Sequence, residues 1–182
     1  YIGGEEAPIR YSSAQASDNL SVDEGTIALI YHEYSDGKIE AFFERKPSTH
    51  REYPNKLTLI GGHKDAPDYS PDITLLRELG EEIEGPGLEV LLNAYRENGM
   101  DYKTIRGYAA GKHYETHIKV IKIESAAGWE KVKQSRLTEG DATFLPLEKI
   151  ASKKAEFAPD YFGLITQYFK EYHPTQYALA SS

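Results

Sequence analysis

Three glutamates one helical turn apart are the feature that any fold of this chain must accommodate. They lie at the end of a stretch running from Gly61 to Gly85. It opens Gly61-Gly62-His63-Lys64-Asp65, passes through a turn-rich Ala66 to Ser70, and continues Pro71-Asp72-Ile73-Thr74-Leu75-Leu76-Arg77-Glu78-Leu79-Gly80-Glu81-Glu82-Ile83. Pro71 and Asp72 suit a helix N-terminus. At about 100° per residue, Ile73, Leu75, Leu76, Leu79 and Ile83 share a broad apolar face. Glu78, Glu81 and Glu82 are expected together on the opposite face, with Arg77 beside them. Such carboxylates repel one another unless one is protonated, splays into water, or shares a cation.

Hard cations such as Mg2+ or Mn2+ are the natural partners of clustered carboxylate oxygens. They bind through a few carboxylates plus waters and substrate phosphates, and they activate water for attack at phosphorus. The spacing therefore points to metal-assisted cleavage at a phosphate. A solvated acidic helix face is the competing reading. Gly80 argues mildly against it, since glycine costs about 1 kcal/mol relative to alanine in a helix interior; close packing is one purpose it would serve.

The chain has 182 residues, 40% hydrophobic and 27% charged, enough for one domain with a real core. No apolar run reaches the roughly 18 residues of a membrane span. Tyr1 stands where an initiator Met would, so either trimming or a chosen boundary is expected and the true start is open; no basic-then-apolar signal pattern is read at Tyr1. With no cysteine, disulfides, thiolate metal sites and a cysteine nucleophile are excluded, and the cytoplasm is the expected location. A net charge of -8 makes nucleic acid an unlikely partner. Phosphate ligands stay accessible if metal ions stand between the charges.

Residues 1–24 read as an N-terminal arm, 25–175 as the domain and 176–182 as a tail. Thr26 to Arg45 reads as a β-hairpin around Asp36-Gly37, and Leu57 to Ile60 as a short strand entering the glycine pair. Leu88 to Tyr95 is expected as a strand and Glu97-Asn98-Gly99 as a turn. Lys103–Ala110 and Thr116–Glu124 are further strands. Gly128 to Leu137 is helix or loop, Thr143 to Leu147 extended, and Glu148 to Ile150 a turn or short helix. Pro159 to Tyr172 closes the chain as a helix. This order predicts an α+β domain, an α/β/α sandwich with a mixed sheet between helices.

The Gly62–Gly85 segment resembles the Nudix box: Gly, five residues, Glu, seven residues, then Arg-Glu-apolar-x-Glu-Glu-x-Gly-apolar. Arg77-Glu78-Leu79-Gly80-Glu81-Glu82 matches the central part at every specified position. The strand ending in Gly61-Gly62, and a late Phe144-Leu145-Pro146-Leu147 before a closing helix, are also similar to the family. The resemblance covers roughly residues 26–172. Two positions depart from it. Six residues separate Gly62 from Tyr69, so either Tyr69 or Asp68 takes the place of the first Glu. Glu84 stands where the closing Gly belongs, with Gly85 one place late.

The resemblance implies Mg2+ or Mn2+ held by Glu78, Glu81 and Glu82. Arg77 would orient a glutamate, and Glu82, or failing that Glu81, would lie closest to the metal or help activate water. A later acid often joins such sites as base or ligand. Glu139 and Asp141 are the best placed here, with Glu115 as the alternative. Arg45 and Lys46 are candidates for substrate phosphate, Gly62 and His63 for the substrate end of the loop, and Tyr102 for a base. His113 and His117 carry a weak zinc spacing.

The expected activity is a pyrophosphohydrolase acting on a small nucleotide, a nucleoside diphosphate linked to another group. A second reading is a Nudix-fold module that senses a nucleotide without cleaving it. RNA decapping is disfavoured by the acidic charge. A homodimer is the family-based expectation for assembly.

Overall fold

The structure, a computed structural model, describes residues 5–6 and 22–182. Most of the expected arm therefore lies outside the described residues, and its last three positions, Val22 to Glu24, open a long strand. The strands are β1 (Glu5–Glu6), β2 (Val22–Glu33), β3 (Ile39–Arg45), β4 (Leu57–Thr58), β5 (Ile60–His63), β6 (Ile83–Glu84), β7 (Met100–Ala109), β8 (Lys112–Lys122), β9 (Arg136–Leu137) and β10 (Asp141–Pro146). The helices are α1 (Pro71–Glu82), α2 (Gly87–Asn98), α3 (Ala126–Lys133), α4 (Leu147–Ser152), α5 (Tyr161–Tyr172) and α6 (Pro174–Ala180).

Among the described residues, eight strands form one mixed sheet in the order β1-β7-β8-β2-β3-β10, with β4 on β3 and β5 on β2. β2 is central and runs parallel to β8. Its alternate residues point to opposite faces, and both faces are covered, which is why it reads as one continuous apolar run. Ala28 and Ile30 face Leu75 and Leu79 of α1, Leu91 of α2 and Trp129 of α3. Ile27, Leu29 and Tyr31 face α4 and α5 through Ile150, Ile165 and Phe169. The expected α/β/α sandwich is the observed architecture.

One edge of β2 is shared by two strands in succession. Gly25–Ala28 pairs with β5, while Ile30–Glu33 pairs with β3. The sheet forks there, and the far end of β3 turns to pair with β4 instead. The fork opens the functional cleft.

Two expectations fail locally. Leu88 to Tyr95 is helical, not extended, and Glu97 and Asn98 belong to the same helix, α2. Leu88, Leu91, Leu92 and Tyr95 recur at helical spacing, and the two fully packed ones, Leu91 and Tyr95, are one turn apart. A run of apolar residues hid that period. The expected tail is mostly helix α6, and Tyr177 and Ala180 pack against the α5-side core. No helix among the described residues is long and apolar enough to cross a membrane.

Candidate active site

Helix α1 starts at a Ser70 cap, whose Oγ accepts the Ile73 N–H at 3.2 Å. Leu75 and Leu79 are fully buried beneath it. Burying each such side chain stabilises the fold by roughly 1.5–3 kcal/mol, which pins the helix against the sheet despite the crowding of its acids. The helix ends at Glu82, and the next two residues pair as β6 with β9. That pairing delivers the 138–140 loop to the helix end, where Thr138 N–H donates to Glu82 C=O at 2.9 Å.

The three box glutamates do not share one environment. From Glu78, about 100° per residue turns Glu82 roughly 40° towards Leu75 and Leu79, and Glu81 roughly 60° the other way, towards Arg77. Glu82 and Glu78 line the cleft; Glu81 does not. Glu81 is 58% exposed and accepts from Arg77 Nη1 at 3.1 Å. Of the three expected together, Glu78 and Glu82 enter the cleft, while Glu81 is turned to solvent and to Arg77 in this structure.

Arg77 organises the loop. Its Nη2 donates to Asp68 Oδ2 and to His63 C=O, both at 2.8 Å, and its Nη1 reaches Glu78 Oε1 at 3.2 Å. Asp68 is buried, is held down to about 2 chiefly by Arg77, and also accepts from Thr74 Oγ1 and the Asp65 N–H. Tyr69 is 87% exposed. Asp68, not Tyr69, therefore fills the place of the first acid in the motif.

Gly61 is required by the backbone around it, and Gly62 by the position of the Glu78 side chain. Gly61 has φ +149°, and a Cβ there would lie 2.1 Å from Thr26 O. A Cβ on Gly62 would lie 2.5 Å from the Glu78 carboxyl group, so the bare backbone is what lets that carboxylate sit over β5. The exposed Gly80 has open space around it, so close packing does not explain it.

The structure adds Glu44, which sequence reasoning passed over as a strand residue. Glu44 is buried, and its charge is a leading cause, after burial itself, of the shift at Glu82. Glu82 is pushed up to about 8 by burial, then by Glu44 and Glu78; Lys46 and the Gly61 backbone pull only part of the way back. Glu82 Oε2 is buried with no hydrogen-bond partner among the described residues. Glu78 is also raised, mainly by burial and against the pull of Arg77. A weak signal for Glu44 existed: in an alternating strand it falls on the face of the buried Phe42, with Glu40 at the other end of that row. Thr58, its cross-strand partner, has a buried hydroxyl without a hydrogen-bond partner among the described residues.

Glu139 lines the same cleft from an exposed loop position. Its neighbour Gly140 lies so close to Glu44 that a Cβ would be 2.6 Å from Glu44 Oε2. His63 also lines the cleft, with its Nδ1 3.0 Å from Asp23 Oδ1.

Several candidates lie elsewhere. Arg45 alternates to the face opposite Glu44, where it pairs with Glu156 at 2.9 Å and with Asn55 C=O. Tyr102 packs edge-on against Tyr168 and donates to Glu171 at 3.2 Å, away from the cleft. Asp141 is exposed opposite Arg45 in the β3–β10 ladder. Glu115 pairs with Arg106 at 2.8 Å. His113 and His117 share a strand face two repeats apart, about 13 Å along β8, too far for one ion.

The cleft encloses about 360 Å3. Its lining carries five carboxylates, Glu52, Asp65, Glu78, Glu82 and Glu139, against one permanently positive side chain, Lys46. The carboxylates dominate the donor set, with an orphaned buried carboxylate oxygen on Glu82 and raised pKa values at Glu78 and Glu82, and this fits a divalent hard cation.

No family model matches the sequence, and no curated protein does. Solved structures do match. The Nudix domain of Shewanella oneidensis NrtR, complexed with ADP ribose, superposes with a TM-score of 0.61 at 16% identity, covering 88% of this chain and 99% of that one. A Caenorhabditis elegans Ap4A hydrolase gives 0.51 at 17% identity over 81% of this chain and 96% of its own. A bifunctional NMN adenylyltransferase/ADP ribose pyrophosphatase from Francisella tularensis, complexed with AMP and an Mn ion, gives 0.54 at 13% identity over 87% of this chain and 44% of its own. The chain has the Nudix fold.

Proposed function

We propose that this Nudix-fold chain is a divalent-cation-dependent pyrophosphohydrolase. Its substrate would be a small nucleotide in which a nucleoside diphosphate is linked to a second group, in the class of ADP-ribose or a dinucleoside polyphosphate. The observation that carries the reading is the charge of the cleft. A lining of five carboxylates and one lysine repels a polyphosphate unless cations enter with it. The fold neighbours, one holding ADP ribose and another an Ap4A hydrolase, support the substrate class.

Glu78, Glu82 and Glu44 would hold Mg2+ or Mn2+. A bound ion of this kind neutralises phosphate charge and lowers the pKa of water. The chain's own residues supply the rest. Gly61 and Gly62 bring bare backbone to the cleft floor. Arg77 is a positioning residue: it ties Asp68 and the His63 carbonyl to Glu78, and so fixes the loop against the helix. In the reaction, water attacks one phosphorus and the bridging P–O bond breaks. The water proton passes to a carboxylate, for which Glu139 is best placed, and each product leaves as a phosphate ester.

The test is a product assay over ADP-ribose, nucleotide sugars, dinucleoside polyphosphates and nucleoside triphosphates, each with Mg2+ and with Mn2+. Cleavage of one class, dependent on the cation and abolished by chelation, is expected. Tight binding of these compounds without cleavage would instead support a nucleotide sensor.

A further inference from the structure

We propose that Lys46 is a placeholder cation, which holds Glu44 while the site is free of metal and moves to a substrate phosphate once a divalent ion takes that carboxylate. The inference rests on the metal-dependent reading above and deepens it, because it makes ion and substrate binding reinforce each other.

Lys46 follows directly on β3. Its Nζ lies 2.9 Å from Glu44 Oε1, and the two side chains are 18% and 5% exposed. The amine is thus the internal counter-ion of a buried acid that crowds Glu82. A divalent ion entering between these carboxylates meets the lysine as a competitor for the same oxygen. Glu44 is fixed by its strand, but Lys46 is not fixed beyond its backbone, where its N–H donates to Lys56 C=O at 2.8 Å. Four methylenes and three rotatable donors let the amine leave without moving the chain.

The destination is equally defined. Lys46 is the one permanently positive side chain among the described residues lining the cleft. Three other cations near the cleft are engaged. Arg77 is spread over Asp68, Glu78, Glu81 and the His63 carbonyl. Arg45 faces away, on Glu156. Lys64 pairs with Glu24 at 3.4 Å. A phosphate arriving beside the ion therefore meets Lys46 in the cleft lining itself, at the moment the ion has displaced it. Linkage makes the benefit reciprocal: the substrate must raise ion affinity by the same factor as the ion raises substrate affinity.

The experiment is a calorimetric cycle at pH 8.5 with Mg2+ and with α,β-methylene-ADP, each alone and then together, on wild type and Lys46→Met. The expected result has two opposite signs. Lys46→Met binds Mg2+ alone about tenfold more tightly and binds the nucleotide in the presence of Mg2+ about tenfold more weakly, so the mutual enhancement shrinks. Lys46→Gln serves the same test if the methionine variant folds poorly, and Lys46→Arg should restore part of the coupling. Lys64→Met removes a nearby charge without touching Glu44 and should leave Mg2+ affinity unchanged. Equal Mg2+ affinity in wild type and Lys46→Met, or the same tightening in Lys64→Met, would overturn the inference alone. Wild type that binds no Mg2+ would overturn the metal-site reading and the inference with it.

Discussion

Two groups of acids lie at the same end of the sheet, and they differ in what neutralises them. Glu24, Glu115 and His117 bring ligand atoms within 4.8 Å of one another, a spacing that would suit a metal ion. Yet Glu115 is paired with Arg106 at 2.8 Å, Glu24 with Lys64 at 3.4 Å, and His117 bridges to Glu24 at 3.0 Å and to Thr104 at 3.2 Å. The chain supplies its own cations there. Around Glu44, Glu78 and Glu82 it supplies Lys46 and a share of Arg77, leaves Glu82 Oε2 without a partner, and pushes Glu82 up to about 8. Proximity of acids is common to both. Burial without compensation belongs only to the second, and it is the better mark of a cation site.

The largest expected effect separates the two groups by turnover. Glu82→Gln should lower the rate on the preferred substrate by about 100-fold or more while the fold is kept, whereas Glu24→Gln should leave it unchanged. Equal losses in a steady-state assay would erase the distinction. Metal affinity comes next. Glu44→Gln should weaken Mn2+ binding by roughly 10–100-fold, and His117→Ala should not alter it, as followed by electron paramagnetic resonance of free Mn2+.

A proton balance sharpens the contrast further. Glu82 is raised from 4.5 to about 8, so the folded, metal-free chain keeps a proton that the unfolded chain has lost. Between those values its contribution to stability falls as pH rises, because the folded state binds more protons. Cation binding at pH 7 should then release about one proton per site, read from calorimetry in two buffers of different ionisation heat. Glu82→Gln should abolish that release. The smallest effect belongs to Thr58. Thr58→Val removes a buried hydroxyl that has no hydrogen-bond partner among the described residues and should stabilise the metal-free chain by about 1 kcal/mol in urea unfolding. Destabilisation instead would mean that the hydroxyl already has a structural role.

Much of this molecule was legible before folding. The buried strand β2, the Asp36-Gly37 hairpin and helix α5 follow from local pattern. The division among the glutamates was within reach but was not read, since the three were grouped on one face: the same 100° step that makes Leu75 and Leu79 neighbours carries Glu82 towards them and Glu81 towards Arg77. Helix α2 was legible too, but its period was masked because Leu88 to Leu92 is apolar at nearly every position.

What the sequence determined by itself is the helix: its apolar face, its Pro71-Asp72 start and the order of acids along it. Short-range geometry suffices for these, since residues three and four apart meet wherever the helix is placed. Tertiary structure alone decided that Asp68 and not Tyr69 meets Arg77, that Glu44 crosses from another strand to crowd Glu82, and that Arg45 faces away. These depend on where a loop closes and where a sheet forks, over separations that no local period encodes. The pKa of Glu82 depends on the same choices, because burial and two neighbouring charges, not its own position in the helix, set it.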